Sequence, residues 1–498
     1  MRYLRILTAD SVESINLKGR NDMKRIVALL LAVVCALTVV GCGKKKREII
    51  KLTLSTEDSE AILAAAGIML PPVEDVSDVN TKIKWFSWYD SFHNYSEDEI
   101  INTGFWTFEQ KYNGEIEWVE CEWGARFDDL ANLILSNESP DFLPLLLNAF
   151  PTRAIKGLFR TVDEYIDYDD PLWVGTKPFA YDYYSLAGKT YAICTDYGSG
   201  NVAVYNRRVM EEWGFDDPAT LFANDEWTWD VFYDMCANFS DPDEDRYALD
   251  GWWFAYSLMR SCGQTIVEYN TETRLYESNL DSPSIEKAAN LLYDLSKNEC
   301  VYPWWANGWS IRNATNGSGL KDGKLLFYFC TIDTFTGPVE EISNVWGDVT
   351  ANEVMFCPAP RDPNGDGGYY TECYPSGYCI AGGANNPEGV VLFASCERFK
   401  ILDPTVISID LKQKKEIYLW TEEMLDMDKT CYELACAGNY IVPYDSGLGD
   451  KLASVVDAFE NNAHSQDAKT WAQLKEANYE KLEFYLSELN DNLKEIDK

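Results

Sequence analysis

Histidine is nearly missing from this 498-residue chain: His93 and His464 are the only two. That scarcity weighs against His-based catalytic triads and His-ligated metal centres, which draw on several imidazoles. No C-x-x-C occurs, which removes the usual structural zinc and thioredoxin-like redox motifs. G-x-S-x-G, H-E-x-x-H, Walker A and G-x-G-x-x-G are absent as well, and with them the commonest nucleophile, metalloprotease and nucleotide sites. Positive charge is in short supply: 43 Lys+Arg stand against 81 Asp+Glu, a net charge of −38. Ten of the basic and three of the acidic residues fall within 1–47, so the rest of the chain is more acidic still. Such a body does not bind nucleic acid by neutralising phosphates. It favours solubility and repels other anions.

Long hydrophobic runs are lacking too. Ile26 to Val40 is an uncharged stretch of 15 residues, short of the roughly 20 that span a bilayer. A basic start (Met23-Lys24-Arg25), this apolar stretch and a small residue after it describe a secretory signal. Val39-Val40-Gly41-Cys42 resembles a bacterial lipobox, which implies cleavage before Cys42 and a lipid on its sulfur. The expected organisation begins with an over-called N-terminus at 1–22, a lipoprotein signal peptide at 23–41 and a lipid-anchored tether at 42–80. Lys44-Lys45-Lys46-Arg47 would then lie beside anionic headgroups. The remainder is expected on the extracytoplasmic face of the cell membrane.

About 450 mature residues exceed one hydrophobic core and imply two domains or more. Apolar content of 46% argues against disorder, and 17 Trp with 30 Tyr make the chain rich in aromatics. Twelve cysteines follow Cys42. Export permits disulfides, and Cys373/Cys379 and Cys431/Cys436 are close enough in sequence to pair; buried free thiols are the alternative.

Along the chain the periodicity alternates. "TKIKWFSWY" (81–89) reads as a buried strand, and "FWTFEQKYNGEIEWVE" (105–120) as helix, Asn-Gly turn and strand. "ARFDDLANLILSN" spaces Phe127, Leu130, Ala131 and Ile134 for an amphipathic helix, and "SPDFLPLLL" returns as a short strand. Strand, helix, strand, helix, strand predicts a doubly wound α/β lobe. The middle repeats the pattern through "KTYAICTD", "NVAVYNR", "PSIEKAANLLYDLSK", "GKLLFYFCT" and "EVMFCPAP". The C-terminal "TWAQLKEANYEKLEFYLSELNDNLKEI" predicts a long helix with Trp471, Leu474, Leu482, Tyr485, Leu489 and Ile496 along one stripe.

Six spaced fragments together resemble the extracellular solute-binding proteins of ABC importers, in the sugar-handling branch (family 1) to which maltose-binding protein is a distant relative. They are "FEQKYNGEIEWV", "SNESPDFLPL", "AGKTYAICTDYGSGNVAVYNRRVMEEWGF", "EWTWDVFYDMCANFSDPDEDRYAL", "GLKDGKLLFYFC" and "ANNPEGVVLFASC". Glu138-Ser139 and Ala248 stand where the family commonly has Gly. The resemblance covers about residues 80–460. It implies an α/β fold of two doubly wound lobes joined by a hinge, with a ligand cleft between them (periplasmic binding protein type II). Lobe 1 would comprise 81–194 and 351–402, lobe 2 195–350 and 403–498, with crossings near Thr195, Thr350 and Leu402. It further implies a lipoprotein that captures an extracellular carbohydrate, an oligosaccharide by its chain length, and delivers it to permease subunits. No cofactor or metal is expected, and the protein would be a monomer that catalyses nothing.

The resemblance also points to cleft residues. Trp88, Tyr89 and Asp90 follow the first strand, and Asp141 ends the Pro-Asp step as a hydroxyl acceptor. Asp196 and Tyr197 stand at the first crossing, and Thr331 and Asp333 follow the "GKLLFYF" strand. Trp252, Trp253, Trp309, Tyr374 and Tyr444 are candidate walls by order along the chain. Flat rings suit a pyranose, whose C–H face they cover while carboxylates and amides take its hydroxyls. Arg153 would bind ligand or pair with a neighbouring acid, the latter being favoured. Two other readings stand beside this one: the same fold around a non-sugar solute such as a peptide, and a surface-anchored glycan-active enzyme with paired carboxylates. "DPNGDG" (Asp362, Asn364, Asp366, Gly367) mimics a calcium loop but has Cys373 at its twelfth position, where a bidentate Glu is required. "DPDEDR" fails likewise, with Trp252 there.

Overall fold

The computed structural model describes residues 57–93, 103–251, 253–307, 319–337, 339–442 and 447–496. The signal-like run, Cys42 and the start of the tether lie outside the described residues. Among the described residues no helix is long and apolar enough to cross a membrane.

Two sheets organise the chain. The elements that frame them are α1 (Glu57–Ala65), β1 (Lys82–Ser87), α2 (Thr103–Tyr112), β2 (Glu115–Glu120), α3 (Arg126–Leu135), β3 (Phe142–Pro144), α4 (Thr152–Ile155), β4 (Ile193–Ser199) and β5 (Asn201–Asn206). Then come α5 (Arg207–Trp213), α6 (Trp229–Phe239), β6 (Tyr247–Asp250), α7 (Trp253–Arg260), α8 (Pro283–Lys297), β7 (Leu325–Thr331), β8 (Val354–Cys357) and β9 (Thr371–Ile380). The chain closes with α9 (Pro387–Leu402), α10 (Glu422–Cys436), β10 (Tyr440–Ile441), α11 (Asp450–Glu460) and α12 (Trp471–Ile496).

The first sheet runs β10-β9-β3-β1-β2, with β4 also paired to β9. β1 is parallel to β2 and to β3, while β9 is antiparallel to β3 and β4. The chain leaves β1 to one side and comes back to β3 on the other, which creates a switch point at the carboxyl end of β1. The second sheet runs β8-β5-β7-β6, and every residue of β5, β6 and β8 is buried. Strands buried throughout in this way are what helices on both faces require.

One residue, Gly200, separates β4 in the first sheet from β5 in the second. A Cβ there would stand 2.3 Å from Glu372 Cβ and 2.8 Å from the Glu372 carbonyl oxygen, so only glycine lets the strand pass. The second passage is the segment 358–370 between β8 and β9. Near the first, β9 carries a bulge between Ser376 and Gly377. Gly377 has φ +152°, and a Cβ would fall 1.8 Å from the Ile193 carbonyl oxygen. The strand pair thus bends where the two sheets meet.

α12 buries Trp471, Leu474, Leu482, Leu486, Leu489 and Leu493. Tyr485 and Ile496 are only half-buried; a straight helix advances 3.6 residues per turn and carries the stripe onto Leu486 and Leu493 instead. The twelve cysteines beyond Cys42 are free thiols. Cys373 and Cys379 both lie on β9, where six residues of extended chain hold them about 20 Å apart. Cys431 and Cys436 share α10.

Candidate ligand cleft

The carboxyl edge of the first sheet is built from three loops. After β1, Trp88 is half-buried and Tyr89 exposed. Asp90 turns the chain at once: its Oδ1 accepts the amides of Phe92 (3.0 Å) and His93 (3.1 Å), and the His93 ring lies 3.0 Å from the same oxygen. Burial pushes the Asp90 carboxyl up, but these hydrogen bonds outweigh it and hold the group below its ordinary value. After β2 comes Cys121–Ala125 with Trp123, which is 50% exposed. The parallel register sets Ser87 beside Glu120 and so brings the two loops together. Trp88 and Trp123 meet edge to face at 4.4 Å, and Tyr89 lies 5.1 Å from Trp88. Two indoles and a phenol therefore stand in a row at the edge where open α/β sheets hold their ligands.

α3 begins next to this row. The Arg126 guanidinium lies 3.8 Å over the Trp123 ring and 4.5 Å over Phe127, while Arg153 of α4 lies 5.0 Å over Phe127 from the third loop. Arg126 Nη1 donates to the Trp123 carbonyl, which fixes the loop. Burial pulls the Arg126 pKa down and the Arg153 charge adds to that, against an opposing contribution from Cys121. Arg153 meets Asp450 at 3.8 Å, a carboxylate that is 95% exposed. Thr152, beside it, donates to the Gly447 carbonyl at 2.6 Å, so α4 stands where the first sheet meets the C-terminal helices.

Other expected residues serve different neighbours. Asp141 is buried; its Oδ2 accepts the Lys84 amide (2.9 Å) and its Oδ1 the Asn386 amide (3.2 Å), clipping β1 to the start of α9. Asp196 accepts the Tyr197 amide at 2.7 Å. Tyr197 is buried and stacks on Tyr432 at 5.1 Å and 12°, with Phe179 at 4.2 Å on another side. Tyr374 receives an Asn201 amide hydrogen at 3.3 Å. All three lie on β4 and β9, the strand pair beside the Gly200 passage. Thr331 ends β7 and is half-buried, and Asp333 lies in the single turn Ile332–Phe335 that follows. Trp253, exposed, begins α7. Trp252, Trp309, Tyr444 and the Asp333 side chain lie outside the described residues.

Sequence reasoning missed a buried cluster across the hinge. Arg260 Nη1 pairs with Glu372 at 2.5 Å and its Nη2 with Glu460 at 3.1 Å. The other Glu372 oxygen accepts from Asn201 (2.5 Å) and Ser257 (2.9 Å). One carboxylate of β9 is thereby tied to β5 and α7, and through Arg260 to α11. Trp123 and Arg126 were missed too, and "ECEWGARF" offers one signal only, an aromatic in a loop directly after a strand. Among the described residues no group of three metal-ligating side chains assembles. In "DPNGDG" Asp362 accepts the Asn364 amide (2.8 Å) and meets Lys287 (3.3 Å). Asp366 accepts from Gly368 (2.8 Å) and Tyr370 (2.5 Å), so the loop's carboxylates serve the loop. In "DPDEDR" Asp241 pairs with Arg246 at 3.0 Å.

Comparison with known proteins bears on this geometry. A family model described as bacterial extracellular solute-binding protein matches residues 105–396. No curated protein matches the chain. Among solved structures, an ABC substrate-binding protein of Listeria monocytogenes in complex with cycloalternan is similar at TM-score 0.55 and 16% identity, over 83% of this chain and 99% of that one. The galacto-N-biose-/lacto-N-biose I-binding protein of Bifidobacterium longum in complex with lacto-N-biose is similar at TM-score 0.56 and 12% identity, over 82% and 98%. A cyclo/maltodextrin-binding protein complexed with maltotetraose gives TM-score 0.53 and 16% identity, over 84% and 98%.

Proposed function

Because the chain belongs to the bacterial extracellular solute-binding proteins, we propose that it captures a carbohydrate, in the form of an oligosaccharide, and delivers it to the permease of an ABC importer. Lipid on Cys42 would hold it at the outer face of the membrane, and it would bind its cargo without converting it. The observation that carries the reading is the row Trp88, Trp123 and Tyr89 at the carboxyl edge of the first sheet. The sugar complexes of the similar structures support it.

A sugar ring laid on an indole removes roughly 100 Å² of apolar surface from water, worth about 2–3 kcal/mol. Two or three such stacks with hydrogen bonds approach the roughly −8 kcal/mol of micromolar affinity. That strength permits both capture and release. The hinge at Gly200 and the segment 358–370 would let the second sheet close over the first, and ligand would favour the closed state by its extra contacts there.

The test is thermal unfolding of the purified protein against mono- and oligosaccharides, with amino acids and peptides as controls. A midpoint that climbs with the concentration of a glycan is expected. A rise with a peptide and with no sugar would keep the fold and overturn the substrate.

A further inference from the structure

Arg126 is only 5% exposed, yet among the described residues its Nε and Nη2 find no hydrogen-bond partner. Buried charge is ordinarily paired, and an arginine cannot escape by releasing its proton. Trp123 and Phe127 cover the flat of the guanidinium. Ring contact of that kind satisfies a face and leaves the in-plane N–H groups unused. Arg153 makes matters worse by bringing a second positive charge to the same Phe127 ring. Among the described residues the acids nearby do not relieve it: Glu122 and Asp128 are exposed and Asp129 is half-exposed, and Asp450, itself in open solvent, contacts Arg153 at 3.8 Å.

In a chain of net charge −38, two arginines with no buried acid against them among the described residues, beside the candidate sugar platform, ask for an anion. The unpartnered edge of Arg126, buried in this structure, carries two N–H groups in the fork that matches a carboxylate or sulfate. We propose that the captured sugar carries an oxyanion, a uronate carboxylate or a sulfate ester, held by Nε and Nη2 of Arg126 while its ring lies against Trp123. Arg153 supplies the second charge. The proposal rests on the carbohydrate reading above and narrows it to acidic glycans.

Calorimetry with matched pairs tests it: an oligogalacturonate against its methyl ester, and a sulfated galactan oligosaccharide against its desulfated form. The acidic member of one pair is expected to bind about 10–100-fold tighter, the range of a charge-assisted hydrogen-bond pair. A preference within the uronate pair assigns the carboxylate, and one within the sulfated pair assigns the sulfate ester. Arg126→Gln should erase the preference, Arg126→Lys should retain part of it, and Arg153→Gln, at a more exposed position, should reduce it. Equal or tighter binding of the neutral members overturns the proposal and leaves the carbohydrate reading standing. Binding of no glycan, with a response to a peptide, sinks both.

Discussion

Arg260 and Arg126 are buried alike, at 6% and 5% exposure, and their surroundings could hardly differ more. At the hinge, Arg260 holds Glu372 with one arm and Glu460 with the other, and Ser257 and Asn201 complete the Glu372 carboxylate. At the cleft, Arg126 leans on two aromatic rings and keeps two nitrogens unmatched. His464 shows a third solution: burial lowers its pKa, against smaller opposing contributions from Gly251 and Asp457, so it stays neutral while its Nε2 faces the Gly251 carbonyl oxygen at 2.9 Å. Paired charge holds the fold together, and suppressed charge removes the cost of burial. At Arg126 neither solution is in place, and the proposed anionic ligand would supply the first of them.

The comparison breaks most easily at the hinge. Glu372→Gln leaves Arg260 facing a neutral amide and should cost about 3–5 kcal/mol, as removal of one partner from a buried pair does. Urea unfolding measures it, and a loss below about 1 kcal/mol would show that the cluster holds nothing. His464 gives the next largest effect. Its folded pKa lies below the unfolded value near 6.5, so the unfolded chain binds more protons below that pH. Its contribution is therefore intact above pH 6.5 and lost as pH falls beneath it, by up to about 1.4 kcal/mol per pH unit. His464→Gln should flatten that part of the stability profile between pH 7.5 and 5.5. The smallest effect is the most telling. Arg126→Met in the ligand-free protein should change stability by no more than about 1 kcal/mol, because relief of a buried cation without a counter-charge offsets the lost Nη1 hydrogen bond to the Trp123 carbonyl. A loss as large as that of Glu372→Gln would place Arg126 with Arg260.

Local signals in the sequence carried much of this architecture. The alternation from Thr81 to Leu147 was enough to predict a doubly wound lobe, because each strand and helix declares its own period. Trp88 and Tyr89 were legible as residues after a first strand. Trp123 and Arg126 were not, since their value comes from the register that sets Ser87 beside Glu120, a non-local fact. The Arg260 cluster joins residues 112 and 200 positions apart, and no pattern along the chain announces such a meeting. Asp141 stood in a recognisable Pro-Asp step, but where its carboxylate turns, to the Lys84 and Asn386 amides, depends on how β1 and α9 pack.

Trp123 is the most direct point of attack on the proposed sugar platform. Calorimetry would compare Trp123→Ala with the unaltered protein, using the glycan that raises the unfolding midpoint. Loss of one stacking surface worth about 2–3 kcal/mol predicts a Kd roughly 30–150-fold weaker, with an unfolding midpoint near that of the parent in the absence of sugar. An unchanged Kd in a folded variant would contradict the account and move the ligand away from the carboxyl edge of the first sheet.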